Sequence, residues 1–134
     1  MNRMNDNKII FVCEHGAAKS IVASAWFNKL ATENNLNLLS ISRGTHPDAE
    51  LGPKAIEGLR MDGLIPTETV PQKLSLAEIE SARYIVTFCE LPDEYQNKVP
   101  TERWDSVPDV SDGYEAARDA IVERINQLVS DLKY

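Results

Sequence analysis

Apolar positions along this chain fall into short unbroken runs and longer runs spaced three or four apart. "KIIFVCE", Lys8 to Glu14, is a β-rich apolar run and predicts a buried strand. "SIVASAWFNKLATENN" then sets Ile21, Ala25 and Leu30 at helical spacing, and the polar "ENN" closes that helix. "LNLLSISRGT" predicts a second strand ending at Gly44. "GPKAIEGLRMDGL" has proline in its first turn and stops near Gly63, as a short helix does. "SLAEIESA" opens with a serine followed three residues on by a glutamate, the capping-box pattern. "RYIVTFC" predicts a third buried strand, ending at Cys89. A weaker fourth strand is expected around Trp104, over "RWDSV". The chain closes with "DGYEAARDAIVERINQLVSDL", a strongly periodic amphipathic helix.

Strands alternating with helices imply an α/β fold: a single-domain parallel sheet of about four strands with helices on both faces. No repeat, low-complexity tract or composition break suggests a linker. One domain is therefore expected over residues 1–134, with an ordered core from about residue 8 to 132. In such sheets ligands sit at the carboxyl ends of the strands. Cys13, Gly44, Cys89 and the "VPDVSDG" segment all follow predicted strands, so they are expected on one edge.

Composition narrows the function. A chain of 134 residues with 43% apolar and 26% charged residues is ordinary for a globular protein. A net charge of -7 disfavours nucleic acid as a partner, since no basic face is available to displace counterions. A small anion needs only a few oriented donors and stays open. No apolar stretch is long enough to span a membrane, so no membrane partner is expected. The N-terminal "MNRMNDNK" lacks the apolar stretch of a signal peptide, which points to the cytoplasm. The two cysteines form no CxxC pair, and His15 and His46 have no cysteine or carboxylate at ligand spacing. No metal or organic cofactor is expected.

"FVCEHGAAKS" is the candidate chemistry. A loop between a strand and a helix start turns backbone N–H groups inward, and the helix dipole adds positive potential. An oxyanion fits such a loop, and a thiolate at its rim, Cys13, is stabilised by the same field. Gly16 supplies the positive φ of a tight loop. Ala17 and Ala18 keep bulk away from the anion. Lys19 neutralises it, and Ser20 is placed to hydrogen-bond the sulfur. The competing reading makes Cys13 a small buried residue at a strand end.

"FVCEHGAAKS" resembles the phosphate loop of the low-molecular-weight protein tyrosine phosphatases and the related arsenate reductases: Cys, five residues, Arg, Ser, directly after the first strand. "SISRGTHP" is similar to the family's Ser-x-Gly-Thr segment, "ARYIVTFCE" to its third strand, and "WDSVPDVSDGYEAARDAIVERINQL" to the arsenate-reductase ending. His15 and the closing helix lean toward the arsenate-reductase branch. The resemblance implies a phosphate site at Glu14, His15, Gly16, Ala17, Ala18, Lys19 and Ser20, with Cys13 as nucleophile and Asp109 as general acid. Two departures stand out. Lys19 replaces the family arginine, exchanging a planar fork for a point charge. The family's Asp-Pro is here Pro108-Asp109-Val110, with Asp105 and Asp112 as the other candidate acids and a plain loop carboxylate or helix cap as the bland alternative. Arg43, in the variable position of the Ser-x-Gly-Thr segment, is a candidate second cation.

Cys89 stands where thioredoxin-coupled arsenate reductases carry a redox cysteine, but no cysteine follows it, so a three-thiol relay is absent. Phosphotyrosine-specific members line the mouth with aromatics, for which Trp26, Phe27 and Tyr95 are the nearby candidates. Three functions follow from the resemblance. The first is a cysteine-dependent phosphate-monoester hydrolase acting through a phosphocysteine. The second is an arsenate reductase resolved by a low-molecular-weight thiol. The third is a phosphate-binding module slowed by Lys19.

Overall fold

The computed structural model describes residues 8–133; the polar run Met1 to Asn7 lies outside the described residues. Four strands form one parallel sheet in the order β2-β1-β3-β4: β1 (Lys8–Cys13), β2 (Leu39–Gly44), β3 (Tyr84–Thr87) and β4 (Thr101–Arg103). Because β1 is flanked by β2 on one side and β3 on the other, the strand order reverses at β1. The crevice beyond its carboxyl end is where ligands of such sheets bind.

Alternation along β1 feeds two cores. Ile9 and Phe11 join one cluster, and Ile10 and Val12 the other. The larger cluster is covered by α1 (Lys19–Glu33), α2 (Pro53–Met61) and α4 (Tyr114–Leu132). The smaller is covered by α3 (Leu76–Ser81) and the turn Asp93–Tyr95. Helices thus lie on both faces, as the alternating pattern predicts. Among the described residues, no helix is long and apolar enough to cross a membrane.

α1 is buried on most sides, including Ser20 and Ser24. Their hydroxyls are satisfied across the gap to β2: Ser42 Oγ donates to Ser20 Oγ at 2.7 Å, and Ser24 Oγ lies 2.9 Å from Ser40 Oγ. Asn28 continues the seam with its Oδ1 accepting from the Ser40 N–H at 2.7 Å. Residues 20, 24 and 28 share one helix face, and residues 40 and 42 one strand face. This spacing was present in the sequence, but its polar residues gave no apolar signal. Ser75 caps α3 in a reciprocal capping box with Glu78, as its sequence predicts.

Two strand expectations shift. β3 ends at Thr87, and Cys89 follows in a bend. β4 covers Thr101–Arg103 rather than the segment 103–107. Trp104 donates its N–H to Thr87 O at 2.9 Å, then turns its ring into the core against Phe11 and Phe88. The apolar signal of Trp104 and Val107 therefore comes from loop residues anchoring in the core, while β4 itself is an exposed edge.

α2 and α4 meet where Gly58 faces Tyr114. A Cβ on Gly58 would overlap Tyr114 Cγ, and the ring is held there by its hydroxyl, which donates to Asp62 and accepts from Trp26. Helix propensity alone makes Gly58→Ala stabilising by up to about 1 kcal/mol. Overpacking costs about 1–3 kcal/mol and wins. Gly58→Ala is expected to lower the urea midpoint; a raised midpoint would show that the helices separate freely.

Candidate active site

The segment between β1 and α1 winds tightly beside the end of β2. Cys13 pairs with Gly44 in register, and the two chains stay in contact for the next residues. Thr45 N–H donates to Cys13 O, His46 to Glu14 O, Asp48 to His15 O and Gly52 to Ala17 O, at 3.2, 2.7, 3.0 and 2.8 Å. In a planar trans peptide the N–H points opposite to the preceding C=O. With those four carbonyls turned toward residues 45–52, the N–H groups of Glu14, His15, Gly16 and Ala18 turn the other way, and of these residues Glu14, His15 and Ala18 line the cleft. None of the N–H groups from Glu14 to Ala18 meets an acceptor among the described residues. α1 begins directly after, with Ala18 at its cap and no side chain closing its first turn. Unpartnered amides and a helix start are the two features from which anion-binding nests are built.

Two glycines permit this winding. Gly16 has φ 62°, and a Cβ there would lie 2.9 Å from Gly44 N. A Cβ on Gly44 would lie 2.8 Å from Gly16 N, so the two backbones touch where neither tolerates a side chain.

The cleft, about 470 Å³, brings together Cys13, Ala17, Ala18, Lys19, Phe88, Cys89 and Asp109. Cys13 is nearly buried, and its Sγ lies 3.0 Å from Ser20 Oγ. Ser42 donates to Ser20, so the Ser20 hydrogen is free to be directed at the sulfur when Cys13 is a thiolate. Across the mouth, Lys19 Nζ meets Asp109 Oδ1 at 3.1 Å. Asp109 is 67% exposed, so this pair is weak and readily exchanged. His15 Nδ1 lies 3.1 Å from Asp48 Oδ1 at the rim.

A family model described as low molecular weight phosphotyrosine protein phosphatase matches residues 8–134. The chain belongs to that family. Among solved structures, a YwlE mutant from Bacillus subtilis is 25% identical, with a TM-score of 0.81 over 95% of this chain and 99% of that one. YfkJ from Bacillus subtilis is 20% identical, with a TM-score of 0.82 over 96% and 95%. An arsenate reductase from Archaeoglobus fulgidus is 24% identical, with a TM-score of 0.70 over 91% and 98%. No curated protein matches the chain. The family is one of cysteine-dependent phosphatases, whose ligands are phosphate groups, and its fold is shared by the Archaeoglobus arsenate reductase.

Several sequence candidates lie elsewhere. Arg43 is not a second cation of the cleft. Strand alternation sends it to the face opposite Ser42, where it bonds Glu78 Oε2 at 2.9 Å and Glu68 Oε2 at 3.0 Å. Burial pushes the Glu78 carboxyl up, but the Arg43 hydrogen bond and charge outweigh it, and the net shift is below the ordinary value. Asp105 pairs with Arg103, and Asp112 does not line the cleft. His46 Nδ1 lies 3.3 Å from Thr45 Oγ1, outside the lining. Tyr95 is buried with its hydroxyl donating to Leu74 O, and Phe27 is in the core. Trp26 donates to the Tyr114 hydroxyl on the far side of α1. The aromatic at the mouth is Phe88, two residues before the chain leaves Cys89's bend. Its position after a strand end was the available signal.

Cys89 lines the same cleft, half buried, with both cysteines free. Burial pushes the Cys89 thiol up against a hydrogen bond to Thr87, and the charges of Cys13 and Glu14 add to the rise. A raised pKa means less thiolate at neutral pH, so Cys89 is expected to react slowly with iodoacetamide and to speed up only above the ordinary thiol range. Cys13 is expected to react faster, and phosphate to protect it. Mass spectrometry after timed labelling checks both, and equal slow labelling would return Cys13 to the role of a core residue. Arg43→Met is expected to leave phosphate binding unchanged while lowering stability at neutral pH. Glu78's pKa is depressed, so the stability Arg43 gives it is present above 4.5 and lost as pH falls below it. Urea midpoints of the two proteins should therefore converge in acid.

Proposed function

We propose that the chain hydrolyses phosphate monoesters through a phosphocysteine on Cys13. The observation that carries this is the inward-facing nest of amides around Cys13, with Lys19 and Asp109 paired across its mouth. The phosphoryl oxygens take the N–H groups of the loop, and Lys19 turns from Asp109 to their charge. Cys13 Sγ attacks phosphorus as the bond to the leaving oxygen breaks, and protonated Asp109 gives that oxygen its proton. Water then attacks the phosphocysteine, passing a proton to Asp109, and phosphate leaves with the thiolate regenerated. Ser20 holds that thiolate by donating its hydrogen, directed by Ser42. Phe88 offers an aromatic wall for an aryl leaving group, in keeping with a phosphotyrosine-like substrate.

A second reading is supported by Cys89 lying in the same cleft. Cys13 attacks arsenate, displacing water to give a thioester of arsenic. A second thiol, Cys89 or a low-molecular-weight thiol, then attacks Cys13 Sγ. The disulfide carries away two electrons' worth of oxidation, and arsenite is released. Thiol-dependent arsenate consumption distinguishes this from hydrolysis, and phosphate binding without turnover of either substrate would leave a binding module.

Lysine is the weak point of the phosphatase. A planar fork gains most when the phosphoryl group flattens, so Lys19→Arg is expected to raise kcat on para-nitrophenyl phosphate, by up to on the order of a hundredfold, with a smaller change in phosphate affinity. Asp109→Asn should lower kcat, most of all for poor leaving groups. An unchanged or lower rate with arginine would show that the loop is built around lysine.

A further inference from the structure

The turn that carries Asp109 is short, and little holds it. Val110 is buried and anchors it to the core, and the turn closes on itself through Asp112 N–H to Asp109 O and Gly113 N–H to Val110 O. Among the described residues, residues 109–112 make two polar contacts with other elements. One is Lys19 to Asp109; the other is Lys54 Nζ donating to Ser111 O at 2.9 Å.

These two lysines have different fates when an oxyanion binds. Lys19 stands at the nest, so the charge of a bound phosphoryl group draws it away from Asp109. Lys54 is outside the cleft lining and keeps its bond. It is also well placed to transmit position. Gly52, two residues earlier, donates to Ala17 O at 2.8 Å, and its Cα is packed so that a Cβ would lie 3.2 Å from that oxygen. The first turn of α2 is thus fastened to the nest on one side, through Gly52, and to the acid turn on the other, through Lys54. Pro53 between them stiffens the link.

We propose that Lys54 is a positioning residue: with substrate bound, its bond to Ser111 O holds the turn so that Asp109 reaches the leaving oxygen. This rests on the phosphatase reading above. Losing the tether lets the turn drift, and small misplacements of a reacting group are costly in rate. The loss must fall on proton transfer alone, because Lys54 touches neither the nest nor the sulfur.

The test uses the whole chain and a series of leaving groups. Phenyl phosphate needs a proton on its leaving oxygen; dinitrophenyl phosphate needs almost none. Lys54→Met is expected to lower kcat/KM on phenyl phosphate on the order of tenfold, leave kcat/KM on dinitrophenyl phosphate and inhibition by phosphate unchanged, because kcat/KM reports the first phosphoryl transfer and not the later hydrolysis, and regain the lost rate as Lys54→Arg. Asp109→Asn, run beside it, must show the same dependence on leaving group, more steeply. A Lys54→Met profile matching the parent while Asp109→Asn shows the dependence overturns the role of Lys54 and leaves the phosphatase reading standing. A uniform loss over both substrates, not restored by arginine, overturns it too, by showing a merely structural role. If Asp109→Asn shows no leaving-group dependence, both readings fall together.

Discussion

The site depends on the contact between two glycine backbones. Gly16 and Gly44 approach so closely that a methyl group on either would strike the other's amide. That approach lets the residues after β2 collect the carbonyls of the residues after β1. Peptide planarity then turns the loop amides the other way. A side chain at either glycine would push the two segments apart, and the carbonyls would have to find other partners. The nest is therefore a product of backbone pairing. Its side chains, Ala17 and Ala18, contribute mainly by being small.

The sulfur is set by a second, polar layer. A run of serines on α1 faces a run of serines on β2, buried where a helix and a sheet usually meet through apolar side chains. Buried hydroxyls are expensive unless paired, and here each finds a partner. Ser42 donates to Ser20, and Ser20 Oγ lies 3.0 Å from Cys13 Sγ, within hydrogen-bond reach of it. The same pairing that satisfies the core thus places a hydroxyl beside the Cys13 sulfur. On the opposite face, Arg43 clasps Glu68 and Glu78, tying β2 to the long connection and to α3. One strand supplies both functions because its successive side chains point to opposite faces.

The polar side chains at the mouth have partners before any ligand arrives. Lys19 has Asp109, and His15 has Asp48. A lysine in this place binds as a point charge on a flexible stem, which suits exchange between a carboxylate and an incoming oxyanion. An arginine would grip the oxyanion more firmly through two parallel bonds.

The alternation of apolar runs determined the α/β sheet, and "CEHGAAKS" determined the tight loop between β1 and α1, because a strand end, a glycine and a helix start are local features. The capping box at Ser75 was equally local. What lay beyond the sequence was decided by where side chains meet. Arg43 reads as a free cation until strand alternation turns it toward two carboxylates remote in sequence. Trp104 reads as strand because a core anchor on a loop leaves the same apolar mark. The Lys19–Asp109 pair and the Lys54–Ser111 bond join residues far apart in the chain, and no local pattern announces them. Residue type and spacing specify backbone geometry. The partner of each charge is set only when the packed helices bring distant residues to one edge of the sheet.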